Sequence, residues 1–276
     1  LIGGSIGEAL VPPLCYFGTS GWSYPGWKGR FYPPGLPAGE WLSFYAQTFA
    51  TVEINMTFYR FPKPEMLRRW VEITPPSFRF TLKANRQITH LKKLKNVRSE
   101  VRYFYILADS LRERLGCILF QLPPSITLDL NLLGEFLKTL SPGYRNVIEF
   151  RHESWYDERV YELLRIQAVT FCTVSSAKVP KTSPETAPVA YVRFHGLTGG
   201  HRHNYSDGEL EEWAGIIRKM KAEEAYIYFN NDYQAFAVHN CLKLKKLLGS
   251  EDPAGGGPGG LMKVRPEGEK KSRSLD

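Results

Sequence analysis

Short runs of β-branched, aromatic and other apolar residues alternate along this chain with longer stretches whose apolar positions recur at helical spacing. That alternation is the pattern of parallel βα units rather than of hairpins. Strands are predicted at residues 16–20, 51–55, 78–83, 117–121, 146–151, 169–174, 190–195 and 225–230, and helices at 40–49, 64–72, 98–115, 132–140, 157–166, 207–221 and 235–248. The link from Ser175 to Pro188 carries three prolines and many small polar residues, so no helix is expected there. Eight such units are the number that closes a (β/α)8 TIM barrel, an α/β fold that occupies about 250 residues as one domain. The expected organisation is an N-terminal extension at 1–13, a single barrel domain at 14–248, and a disordered tail at 249–276 built on a Gly/Pro run and mixed charges.

Successive side chains on a strand point to opposite faces, so the apolar set names the helix-facing side and leaves the other for the lumen. Val52 and Ile54 leave Glu53 and Asn55 inside; Phe80 and Leu82 leave Thr81 and Lys83; Ile148 and Phe150 leave Glu149 and Arg151. In the same way Val192 and Phe194 leave Arg193 and His195, and Ile227 and Phe229 leave Tyr228 and Asn230. The lumen therefore becomes polar at the carboxyl ends of the strands, where barrel enzymes carry their catalytic groups. The competing reading is that Glu53 and Glu149 neutralise Arg151, Arg193, Lys83 or Arg79 in a purely stabilising network, because buried charges require partners.

Composition adds a bias of sign. Of the 276 residues 43% are hydrophobic and 23% charged, ordinary globular values, and the formal net charge of +8 with a pI near 9.2 favours anionic partners. Four widely spaced cysteines form no C-x-x-C pair, and there is neither a signal-like leader nor a run long enough to span a membrane. A cytoplasmic location, with no membrane partner, is the expectation.

The strand-end motifs carry a resemblance. Gly18-Thr19-Ser20-Gly21-Trp22-Ser23-Tyr24-Pro25, Thr51-Val52-Glu53-Ile54-Asn55 with Thr57-Phe58-Tyr59-Arg60, and Ile88-Thr89-His90 are followed by Gln121-Leu122-Pro123-Pro124, Glu149-Phe150-Arg151-His152 with Ser154-Trp155, Tyr191-Val192-Arg193-Phe194-His195-Gly196, and Tyr228-Phe229-Asn230-Asn231. Spread in order over nearly the whole barrel, they resemble the YecE-like family, catalogued as domain of unknown function 72. The resemblance implies a TIM barrel akin to those of xylose isomerase and endonuclease IV, and supplies no reaction. It departs at Val174-Ser175-Ser176, where some relatives carry an acidic residue.

Residue chemistry then proposes roles. Glu53 and Glu149, on the second and fifth strands, are expected nearly across the barrel from each other. Ordinary glycoside hydrolysis is disfavoured, since common barrel glycosidases place their acids after strands four and seven, where this chain has Gln121 and His195. Glu53, Glu149, His152, His195 and Asp232 offer oxygen and nitrogen donors for a divalent metal, yet no tight ligand pair is present and Arg151, Arg193 and Lys83 oppose a cation. Those three cations suit an anion instead, with Gly196-Leu197-Thr198-Gly199-Gly200 as a candidate phosphate loop or simply a tight turn. His201 and His203 in the next loop are expected to be solvated. Candidate catalytic residues are Glu53, Glu149 and His195, the histidine as acid or base. Candidate binding residues are Ser20, Trp22, Asn55, Tyr59, Lys83, Gln121, Arg151, His152, Trp155, Arg193, Tyr205, Asn230 and Asn231. The leading expectation is a hydrolase or lyase on a phosphate-bearing or nucleic-acid-related substrate without a required cofactor. The alternatives are a non-catalytic nucleic-acid or nucleotide binder, a divalent-metal-dependent barrel enzyme resembling endonuclease IV, and a scaffold whose lumen charges are saturated internally.

Overall fold

A computed structural model describes residues 12–250, so most of the expected extension, and the expected tail beyond Ser250, lie outside the described residues. The β-branched and aromatic runs form eight strands: β1 (Leu14–Thr19), β2 (Thr51–Ile54), β3 (Arg79–Lys83), β4 (Leu115–Gln121), β5 (Asn146–Glu149), β6 (Thr170–Ser175), β7 (Val189–Phe194) and β8 (Glu224–Phe229). All pairings are parallel, in the order β1-β8-β7-β6-β5-β4-β3-β2. The two ends of that order meet through a bridge between Ser20 and Glu53, with the Gly21 N–H donating to the Glu53 carbonyl at 2.8 Å. Gly18 allows this approach, because a Cβ there would collide with the Thr51 carbonyl. The sheet thus curls into a (β/α)8 TIM barrel.

The helices are α1 (Trp41–Tyr45), α2 (Met56–Tyr59), α3 (Pro64–Glu72), α4 (Arg98–Ala108), α5 (Leu130–Leu137), α6 (Glu158–Ile166), α7 (Asp207–Arg218) and α8 (Phe236–Leu248). Their starts are written locally. Pro64 opens α3, Asp129 and Asp157 accept backbone N–H bonds at the heads of α5 and α6, and Ser206 with Glu209 forms a capping box on α7. No helix follows β6, as the prolines there require.

Two elements differ from the periodicity. The predicted helix at 98–115 stops at Ala108 and tightens into a 3-10 segment, where Arg112 takes φ 51. Arg114 is the cause to which the contacts point: its buried guanidinium donates to the Phe78 carbonyl at 2.8 Å and to Thr74 Oγ1 at 2.9 Å, pulling the chain off the helical path. Helix α2 was not predicted, being a single turn and too short to show a period.

The strand faces follow the parity. Val52, Phe80, Ile148, Val192 and Ile227 belong to the large outer core under the helices, whereas Tyr16, Leu119, Val147, Cys172, Tyr191 and Tyr228 form a separate cluster in the lumen. All four cysteines are buried, and none forms a disulfide among the described residues. Among the described residues no helix is long and apolar enough to cross a membrane.

Candidate functional site

The lumen changes character from its amino-terminal end upward. Near the bottom the rings of Tyr16 and Tyr226 stack at 4.7 Å. One layer higher the Tyr228 hydroxyl donates to Thr81 Oγ1 at 2.8 Å and lies 2.7 Å from Thr51 Oγ1. Above that stands a fully buried ion layer. Arg193 donates through Nη2 to Glu53 Oε1 at 2.6 Å and through Nη1 to Glu149 Oε2, while the Tyr191 hydroxyl donates to Glu53 Oε2 at 2.6 Å. The two carboxylates were expected to face each other across the barrel. In this structure they share one guanidinium, whose fork reaches an oxygen of each.

At the mouth, Arg151 pairs through Nε with Glu149 Oε1. His195 Nε2 lies 3.0 Å from that same oxygen and 3.0 Å from Arg151 Nη2, and Asn230 Nδ2 lies 3.3 Å from His195 Nδ1. Lys83, half-buried, places Nζ 4.4 Å from the centre of the Phe58 ring and pairs with no carboxylate among the described residues. Arg79, at the other end of β3, bonds to the carbonyls of Pro76 and Ser77 and takes no part.

Charge and burial set the protonation states. Burial opposes ionisation of Glu149, but Arg151 and Arg193 outweigh it and hold its carboxyl well below the usual range. Burial likewise opposes ionisation of Glu53, and Arg193 with the Tyr191 hydrogen bond brings it down. Arg193 also loses by burial and is carried well above its ordinary value by the two glutamates. For His195 burial dominates; with Arg193 and Arg151 it outweighs Glu149 and pushes the ring down to about 4, so the imidazole is neutral at pH 7. Burial and then Arg193 lower Lys83 to about 8. Lys83, rather than His195, therefore titrates nearest neutrality.

Of the remaining candidates, several gather at this mouth. Ser20 is buried with its hydroxyl unpartnered among the described residues, Asn55 is half-buried with Oδ1 unpartnered, and Gln121 lies at the end of β4 with its amide donating to the Leu122 carbonyl. Trp22 is half-buried against the edge of Trp70, and Tyr59 is 69% exposed on the rim. Three residues turn out to be structural. Trp155 is fully buried in the outer core, stacked on Phe150 with its indole N–H donating to the Ile126 carbonyl at 2.7 Å. Tyr205 is buried, its hydroxyl donating to Ser175 Oγ and accepting the Gly196 N–H. Asn231 is buried with its amide nitrogen donating to the His203 carbonyl and Asn240 and its Oδ1, like that of Asn55, unpartnered among the described residues. Loop aromatics and amides near a barrel mouth are equally suited to packing beneath loops, and residue type alone does not separate the two. His152 accepts the Ser154 N–H, capping a short turn.

The Gly-rich loop is a tight turn. Gly196, Gly199 and Gly200 all have positive φ, and a Cβ on Gly196 would collide with the Gly200 carbonyl. His201 is exposed and His203 pairs with Glu209 at 3.2 Å. Among the described residues no group of three or more His, Cys, Asp or Glu side chains is arranged to hold a metal ion. The lumen carboxylates are committed to arginines. Tyr191, which supports Glu53, was not among the candidates, and continuing the parity of Arg193 back by two residues would have found it; Phe58, which meets Lys83, lies in the motif Thr57-Phe58-Tyr59-Arg60.

Comparison with known proteins bears on the family and the fold. The family model described as "Protein of unknown function DUF72" matches residues 16–259. A DUF72 family protein from Thermotoga maritima MSB8 is 32% identical, with a TM-score of 0.77 over 86% of this chain and 100% of that one. UPF0759 protein YunF of Bacillus subtilis is 24% identical over 86% of this chain and 96% of its own length, and UPF0759 protein YecE of Escherichia coli K12 is 33% identical over 52% and 50%. The barrel of SacUVDE superposes with a TM-score of 0.51 at 9% identity, a likeness of fold alone.

Proposed function

The chain belongs to the DUF72 family, whose description assigns no reaction, and from the chemistry of its barrel mouth we propose an enzyme, a hydrolase or lyase, acting on a small phosphate-bearing substrate. The observation that carries this is the imbalance of charge: Glu53 and Glu149 face Arg193, Arg151 and Lys83, so one cation is left over, and the two that reach the rim are Arg151 and Lys83. A guanidinium fork with an ammonium beside it suits a phosphate group, the first by paired hydrogen bonds and the second as a point charge. Ser20 Oγ and Asn55 Oδ1, buried and unpartnered, are polar groups of the kind a ligand hydroxyl satisfies. A bound dianion would raise the proton affinity of the neutral His195 ring beside Arg151, bringing it into play as a base.

A ligand that binds only the folded state raises its melting temperature in proportion to the logarithm of its concentration over Kd. Inorganic phosphate is expected to raise the melting temperature of the wild type, and Arg151→Gln to abolish that rise. An unshifted wild type, or an equal shift in the variant, overturns the reading. The exposed Tyr59 ring, with Arg60, Arg86 and Lys93 exposed on the loops after β2 and β3, favours a nucleotide or nucleic acid as the bearer of that phosphate.

A further inference from the structure

We propose that Lys83 is a nucleophile whose amine forms a covalent imine with an aldehyde or ketone group of the substrate, which makes the enzyme a lyase on a phosphorylated carbonyl compound. The inference rests on the phosphate reading above for the substrate's charged end, and deepens it by naming the reacting group.

The geometry separates Lys83 from every other charged group in the lumen. Glu53, Glu149, Arg151 and Arg193 are all held in ion pairs. Lys83 has no such pair and no side-chain hydrogen bond among the described residues, and its Nζ is held over the Phe58 face. Its backbone is anchored by the Thr57 hydroxyl, which donates to the Lys83 carbonyl at 2.6 Å, so the amine projects from a fixed strand end. A lysine kept for stability alone would be expected to meet a carboxylate or extend into water. The charged groups bearing on this one are Arg193 and Arg151, of like sign, Glu149 and Glu53, already neutralised, and His90, whose ring meets the edge of Phe58. Desolvation next to other cations is the environment that leaves a lysine amine uncharged and nucleophilic near neutral pH.

The step balances with groups present. The nitrogen lone pair attacks the carbonyl carbon, the C=O π pair moves to oxygen, and a proton passes from nitrogen to that oxygen to give a carbinolamine. The lone pair restored to nitrogen then expels the hydroxyl, which takes a second proton from solvent and leaves as water. Amine, carbonyl and one solvent proton have become iminium and water. The iminium accepts the electron pair of a bond at the adjacent carbon, which is what a lyase requires and a simple hydrolase does not.

The test treats the whole protein with glyceraldehyde 3-phosphate and cyanoborohydride, which adds hydride to the imine and fixes it as a secondary amine, followed by intact mass and peptide mapping. A single adduct at Lys83, absent in Lys83→Arg, is expected. Its rate should level off above pH about 8. Unphosphorylated glyceraldehyde should label Lys83 roughly tenfold more slowly, an energy of about 1.4 kcal/mol. Labelling confined to surface lysines overturns the inference, and if phosphate still shifts the melting temperature the phosphate reading survives it. Equal labelling of Lys83 by both aldehydes, with no competition from inorganic phosphate, upholds the imine and removes the phosphate reading.

Discussion

Two adjacent layers of one lumen treat their cations in opposite ways. In the Glu53–Arg193–Glu149 layer every side chain is fully buried, both carboxylates are spoken for, and Arg193 is carried well above its ordinary pKa. At the mouth just above, Lys83 lacks a counterion and falls to about 8, and the His195 ring is held neutral. The lower layer therefore pairs every one of its charges, as a scaffold would, with Arg193 Nε alone in that layer left without a hydrogen-bond partner among the described residues. The upper layer is the unsaturated one that a ligand would complete. The difference teaches that one lumen holds charges of two kinds, mutually paired beneath and partly unpaired on top, and it is the upper kind on which the proposed chemistry rests.

The comparison is broken hardest by removing its keystone. Arg193→Met leaves two buried carboxylates without their shared partner and should cost about 3–5 kcal/mol in urea denaturation at pH 7; a loss under about 1 kcal/mol would mean that the lower layer carries no structural weight. Acid titration probes the next layer. His195 is lowered from 6.5 to about 4, so between those values the unfolded chain binds a proton that the folded chain refuses. Stability is then complete above pH 6.5 and falls as the pH drops toward 4, by on the order of 3 kcal/mol. Denaturation curves of His195→Gln should be shallower over that window, with a residual slope from His90 and His239, whose rings burial also lowers from 6.5, and the loss due to Glu53 and Glu149 should lie below the ordinary 4.5. If the variant keeps the wild-type slope, His195 is not the group refusing the proton. The smallest effect is sought at the seam: Tyr191→Phe removes the hydroxyl bonded to Glu53 Oε2 and should cost about 1.5 kcal/mol at neutral pH, with little change in phosphate response.

Much of this molecule was legible in the chain. The eight strands fall within two residues of their predicted positions at nearly every end, because a β-branched run flanked by Gly, Pro and polar residues is a local signal. Parity named Glu53, Lys83, Glu149, Arg151, Arg193 and His195 as neighbours in one lumen, since alternation along a strand is a property of the backbone and not of the environment. What alternation leaves open is depth and partner. Trp155, Tyr205 and Asn231 look like pocket residues by type and become packing by position, and nothing local distinguishes the two. Nor could sequence tell that Glu53 and Glu149 would converge on Arg193 while Lys83 would be left without a counterion. Residue type and periodicity are written in order along the chain, so the sequence by itself determined the barrel and the faces of its strands. The pairing of charges depends on distances across the lumen and on how far each group is withdrawn from water, and only the closed barrel decided that.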